Sequence, residues 1–103
     1  MFEQSTRYMT KGISERMPSE VVAAIWNSID LQRQSQAEMD YLQVFKFENL
    51  KDSVLAIRHT QEQPERCSVV YLTYKKEYEK ILNETVFVID DGDHSTILFG
   101  YEY

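Results

Sequence analysis

The residues with the most chemistry per position stand near the C-terminus, in Asp90-Asp91-Gly92-Asp93-His94-Ser95. Carboxylates, an imidazole and a hydroxyl crowded together suit a divalent-cation site, a hydrolytic centre or a charged docking point. A calcium loop of the EF-hand kind needs roughly twelve residues closed by a Glu, and this stretch has neither. The hydrolytic centre fails on geometry. Asp-Gly between two β-rich runs, Thr85-Val86-Phe87-Val88-Ile89 and Thr96-Ile97-Leu98-Phe99, predicts a hairpin. Neighbours on a strand point to opposite faces, so Asp93, His94 and Ser95 cannot align as acid, base and nucleophile. Two registers fit the turn. A two-residue Asp91-Gly92 loop sets Asp90 against Asp93 and Ile89 against His94; a type I turn with a glycine bulge pairs Asp93 with Ile89. Neither gathers three ligands on one side. No catalytic residue, metal or cofactor is therefore expected; the turn reads as a solvated loop tip that helps solubility or, more sharply, as a docking point for a basic partner.

His59 and Glu62, in His59-Thr60-Gln61-Glu62-Gln63-Pro64, form the second polar group. A histidine closing a strand is expected to be structural and half-exposed; as a base it would need a nucleophile or carboxylate within reach. Both join Asp90, Asp91, Asp93 and His94 as candidate partner-binding residues. Cys67, opening a β-run, is expected to be a buried small hydrophobe. Tyr71, Tyr74 and Tyr78 interleave with Lys75, Lys76 and Lys80, a mixture that can stack bases. In an acidic chain it reads instead as a solvated strand edge, and direct nucleic-acid binding is not expected.

The charge distribution supports the docking reading. The chain has 103 residues and a formal net charge of −6. Its last 20 residues carry Glu84, Asp90, Asp91, Asp93 and Glu102 and no Lys or Arg, so they hold nearly all the excess. The length fits one domain, residues 1–103, and an aromatic content of 13% argues against disorder. No apolar run approaches a membrane span, and Met-Phe-Glu-Gln-Ser lacks the basic start and apolar stretch of a signal peptide. A single cysteine excludes a disulfide framework. A cytoplasmic protein without a membrane role is expected.

The elements that must position these groups can be read in outline. Residues 5–13 look like an opening strand with Tyr8 and Met9 on opposite faces and Gly12 at a bulge or the strand's end. A helix starts near Pro18-Ser19-Glu20, with Val22, Ile25, Trp26 and Ile29 as its apolar stripe. It frays in the polar Gln32–Glu38 stretch. Strands follow over Tyr41–Phe47, Ser53–Thr60 and Cys67–Tyr74, the first two linked by Asn49-Leu50-Lys51-Asp52, with Pro64 breaking the chain before the third. Lys75–Asn83 leans towards helix through Tyr78, Ile81 and Leu82. The expected fold is α+β, with one main N-terminal helix packed on a curled, mainly antiparallel sheet of five to six strands. Both arms of the last hairpin are apolar on both faces, and one helix cannot cover both. The sheet must curl on itself or a second molecule must cover the remainder, which points to a half-barrel or a homodimer.

Several of these segments together resemble a known family. Thr6-Arg7-Tyr8 through Gly12, Ile25-Trp26 with Ile29-Asp30, Asp40-Tyr41-Leu42-Gln43-Val44-Phe45, His59-Thr60-Gln61-Glu62 with Pro64, and Val88 through Thr96 ending in Glu102-Tyr103 are similar to an uncharacterised family of short proteins from Gram-positive bacteria, a domain of unknown function. The resemblance spans nearly the whole chain and departs at Gln32–Glu38 and Leu72–Asn83. It implies a compact α+β domain in a bacterial cytoplasm, and brings no activity, cofactor or catalytic residue. The functional expectation is a non-enzymatic protein-binding or regulatory protein, homodimeric through its sheet, whose acidic turn faces an unidentified protein partner. The alternatives are an acidic inhibitor mimicking nucleic acid, or a small hydrolase or metal enzyme built on His59, Glu62, Asp93 and His94.

Overall fold

In the computed structural model, which describes residues 1–51 and 53–103, the chain builds one mixed six-stranded sheet. A 3-10 turn, Gln4–Thr6, leads into β1 (Arg7–Met9), α1 (Lys11–Arg16) and α2 (Ser19–Gln34). Then come β2 (Leu42–Leu50), β3 (Val54–Glu62), β4 (Glu65–Thr73), a 3-10 helix at Lys76–Ile81, β5 (Thr85–Asp90), β6 (Ser95–Phe99) and a 3-10 turn at Gly100–Glu102. The strand order is β1-β6-β5-β2-β3-β4. Every pairing is antiparallel except β1 with β6, where Arg7, Tyr8 and Met9 run parallel to Ser95, Thr96 and Ile97. The expected α+β class and a sheet of up to six strands are found, with two refinements to the expectation of one N-terminal helix on a curled, mainly antiparallel sheet. The sheet is mixed and open, and the helical content is shared among several elements.

The local chemistry explains the division. Gly12 does not end a strand; it lies within α1, because the Thr10 hydroxyl accepts from the Ile13 amide and caps a helix there. The Gly12 amide donates to Glu102 Oε2, and a Cβ at this position would stand 2.6 Å from that oxygen. Pro18 fixes the chain just before α2, and Glu20 occupies its first turn. The buried side of α2 is Val21, Ile25, Ser28 and Ile29, so the stripe is rotated from the expected one. Trp26 sits at the flank beneath the Arg7 guanidinium, 4.4 Å from its ring centroid. The Asn49–Asp52 link includes Asp52, which lies outside the described residues.

Strand periodicity places the core. Phe45 and Phe47, Leu55 and Ile57, Val86 and Val88, Ile97 and Phe99 all point to one face. There they meet Ile13 of α1, Met17 just after it, the apolar side of α2, and Tyr78 and Ile81 of the 3-10 helix. The segment Lys75–Asn83 is therefore part of the core, and Tyr78 is removed from any base-stacking surface. The opposite face carries Tyr8, Leu42, Val44, Phe87, Ile89 and Leu98, none of them in the core cluster; Leu98 is nonetheless buried, and the Tyr103 ring meets Phe87 edge-on at 5.6 Å.

Candidate functional site

The acidic turn has a register that neither expected pairing gave. Asp90 lies opposite Ser95 and Ile89 opposite Thr96, leaving Asp91–His94 as the loop. Asp91 drives this: its Oδ1 accepts from the Asp93 and His94 amides at 3.0 Å, and its Oδ2 meets His94 Nε2 at 3.1 Å. The His94 and Asp93 amides hold the Asp91 carboxyl below the usual carboxylate range. Gly92 accommodates the reversal at φ +101°. The three aspartates consequently play different parts. Asp93 is exposed, Asp91 organises the turn, and Asp90 points into the protein.

Asp90 is a clamp on the N-terminal segment. Its Oδ2 accepts from the Phe2 amide at 2.6 Å and its Oδ1 from Gly92 at 2.8 Å, while the Phe2 ring is fully buried. A carboxylate accepting two backbone donors makes stronger bonds than a neutral acceptor. Asp90→Ala should lower stability by about 1–3 kcal/mol and release Phe2. Asp93→Ala should change it by less than about 0.5 kcal/mol, as is usual for exposed positions. Urea titration of the two variants checks the contrast; equal losses would remove the clamp.

The other C-terminal acids are also engaged. Glu84 takes a bond from Arg16 at 2.8 Å. Glu102 accepts from Thr10 Oγ1 and the Phe99 amide, both at 2.8 Å, and from Gly12. What remains outward at the hairpin end is Asp91, Asp93 and the half-buried His94, whose ring meets Tyr8 edge-on at 5.2 Å.

His59 is not half-exposed but buried, in the middle of a polar chain through the core. Gln43 Nε2 donates to the Asp40 carbonyl and to Gln61 Oε1, both at 2.8 Å, so Gln43 Oε1 is left to accept from His59 Nε2 at 2.5 Å. His59 Nδ1 then accepts from the Ser28 hydroxyl at 2.8 Å. Gln32 and the Asp40 amide also donate to Gln61 Oε1, and Gln61 Nε2 reaches the carbonyls of Glu38 and Pro64. Burial lowers the His59 pKa to about 4, and the ring stacks on Phe45, 4.3 Å between centroids. The imidazole is a neutral core group. It sits two strands from Asp90 and four residues off along β5, about 16 Å away by strand spacing and rise. The residues His59, Glu62, Asp93 and His94 are not brought together.

Glu62 is exposed at the end of β3, opposite Glu65. It borders a groove of about 500 Å³ on the open sheet face, with Leu42, Val44 and Thr60 on its floor and Asp40 and Lys46 beside it. Cys67 is exposed on β4, against the expectation of burial, because it faces the side of the sheet without helices. Among the described residues no cluster of three or more His, Cys, Asp and Glu could hold a metal, and no helix is long and apolar enough to cross a membrane.

Sequence reasoning missed Gln43, Gln61 and Ser28. The signal was parity: Gln43 shares its face with Phe45 and Phe47, and Gln61 with Ile57 and His59, so polar groups at inward positions of adjacent strands must satisfy one another.

These features define a class, a two-layer α+β protein whose mixed sheet is covered by helices on one face and open on the other. The chain belongs to a family described as a Staphylococcal protein of unknown function (DUF960), whose model matches residues 6–102. The resemblance to an uncharacterised family of Gram-positive bacteria is thereby established. A crystal structure of a protein of unknown function from Enterococcus faecalis is similar over 100% of this chain and 98% of that one, with a TM-score of 0.81 and 27% sequence identity. No curated protein matches.

Proposed function

We propose that this is a non-enzymatic binding protein that takes a protein partner on its open sheet face, with the acidic turn at the rim. The observation that carries this is the half-buried apolar run across two neighbouring strands, Phe87 and Ile89 of β5 and Leu42 and Val44 of β2, on the face away from the core cluster, with the buried Leu98 of β6 behind it and the Tyr103 ring against Phe87. Apolar patches rimmed by polar groups mark interaction sites. Here the rim is Asp91 and Asp93 at the hairpin end, and Lys46 and Arg58 towards β3. A curl of the sheet belongs to the same reading, since it shapes the groove beside Val44. The partner is a protein segment with apolar anchors and a basic flank, and a reducing cytoplasm suits the lone cysteine. A mimic of nucleic acid is less well supported, because Glu84, Asp90 and Glu102 are turned to internal bonds.

The test is affinity capture with quantitative mass spectrometry, comparing the wild type with Val44→Lys in the groove floor and Asp93→Lys at the rim. Loss of a central anchor costs about 2 kcal/mol or more, so Val44→Lys should weaken partner binding about thirtyfold or more. Asp93→Lys should reduce it several-fold and weaken its salt dependence. A partner retained by a folded Val44→Lys variant would sink the proposal.

A further inference from the structure

We infer that β4 is a self-association edge, and that two copies of this chain pair β4 with β4, antiparallel, joining their sheets about a two-fold axis at Val69. The sheet has two free edges. The β1 edge is short, Arg7–Met9, whereas β4 runs nine residues, Glu65–Thr73. Natural edges of that length are usually blunted by lysine, proline or a bulge, because their unpaired amides and carbonyls template another strand. Here Cys67 through Tyr74 holds no charged residue and no proline.

The charges at the two ends of the strand say which occupant fits. Glu62 and Glu65 lie at one end, beside Arg66, and Lys75, Lys76 and Glu77 follow the other, all exposed, with Lys75 bonded to Glu20 at 3.3 Å. A parallel neighbour of the same kind would set acid beside acid and base beside base. An antiparallel second copy brings Glu62 level with Lys76 of that copy, twice over. Directly opposite residues share a face, so a two-fold axis normal to the sheet must place one residue opposite itself. With Val69 at that position, Cys67 faces Tyr71 of the second copy, Glu65 faces Thr73, and no like charges oppose each other within the strand.

A second feature ends at the same edge. Between α2 and β4 lies a groove of about 290 Å³, lined by Ser28, Leu31 and Gln32 on the helix and Arg66, Ser68 and Val70 on the strand. Leu31 stands 56% exposed beside it, and Tyr71 is 62% exposed on the other side of the sheet. A second copy along β4 covers this groove and both side chains. Nine residues span about 30 Å at the rise of a strand. With the molecule's smallest extent of 21 Å, the contact is bounded by about 600 Å² per copy, or about 1,200 Å² in total, the low end of specific interfaces. The association is accordingly reversible and concentration-dependent.

Sedimentation equilibrium across micromolar concentrations, read beside two variants, tests this. The wild type should shift from the chain mass to twice that mass. Val69→Lys, which sets lysine against lysine at the axis, should remain monomeric; if it fails to fold, Tyr71→Lys at its exposed position replaces it. In Cys67→Ser/Val69→Cys, the opposed Cα atoms lie about 4.5–5.5 Å apart, within disulfide reach, so mild oxidation should give a covalent dimer. A wild type monomeric at every concentration overturns the inference. So does a dimer that survives Val69→Lys and yields no cross-link, which would place self-association on another surface. Val44→Lys should leave the dimer intact, which separates this edge from the open-face binding site.

Discussion

Gln43→Leu should destabilise the protein by about 2–4 kcal/mol, although the new side chain is apolar and of similar size. The cost comes from what it leaves behind. His59 Nε2 loses its acceptor inside the core, and the Asp40 carbonyl loses a donor. Each buried group left unpaired costs about 1–3 kcal/mol, more than the same bond adds when made. Gln61 Oε1 suffers less, because Gln32 and the Asp40 amide still donate to it. The companion variant is His59→Leu with Gln43→Leu. Removing both partners spares the orphaned imidazole, so the double variant should be less destabilised than the two single losses combined, by about 1–2 kcal/mol. Urea unfolding of the four proteins measures this directly. Strict additivity would mean that His59 and Gln43 are independent, and the network as a cooperative unit would be gone.

That network also shows what was legible in the sequence and what was not. Features written in neighbouring residues came through. Pro18-Ser19-Glu20 does open α2, the β-rich runs around Asp90–Asp93 do form a hairpin, and Pro64 does separate two strands. Features set by distant contacts did not. The parallel pairing of β1 with β6 joins residues about 90 positions apart, and nothing local encodes it. The burial of His59 follows from α2 crossing that part of the sheet and offering Ser28, which no strand pattern around His59 displays. The acidic segment misled for a related reason. Composition counts charges, but the fold turned Asp90, Glu84 and Glu102 towards amides, a hydroxyl and a guanidinium, leaving a much smaller acidic tip. The hairpin register failed because a side chain decided it. Asp91 caps two amides of its own loop, and a turn held that way is longer than the Asp-Gly pair alone suggests.

Between pH 7 and about 4.5 the melting temperature should fall by about 10–20 °C, and His59 should be the main cause. Burial holds its folded pKa near 4, against an ordinary value of 6.5. As pH drops below 6.5 the unfolded chain takes up a proton on this imidazole and the folded chain does not, so the equilibrium shifts towards unfolding. The contribution is fully present above 6.5 and is lost progressively down to about 4, after which it no longer changes. At 1.36 kcal/mol per pKa unit the total is about 3 kcal/mol, a large share of the 5–15 kcal/mol typical of a domain. The shifted carboxyls act in a different window. A backbone amide and the Tyr78 hydroxyl bring Glu20 to about 2, and Arg7 lowers Asp30. Their contributions persist above the ordinary carboxylate range and are lost only as pH falls below it, so they add to acid unfolding after His59 has already acted. His59→Gln separates the two. It can still donate to Gln43 but does not titrate, so it should be less stable at pH 7 yet show a much flatter profile from 6.5 to 4.5. A variant that keeps the wild-type slope across that interval would show that His59 is not the group responsible.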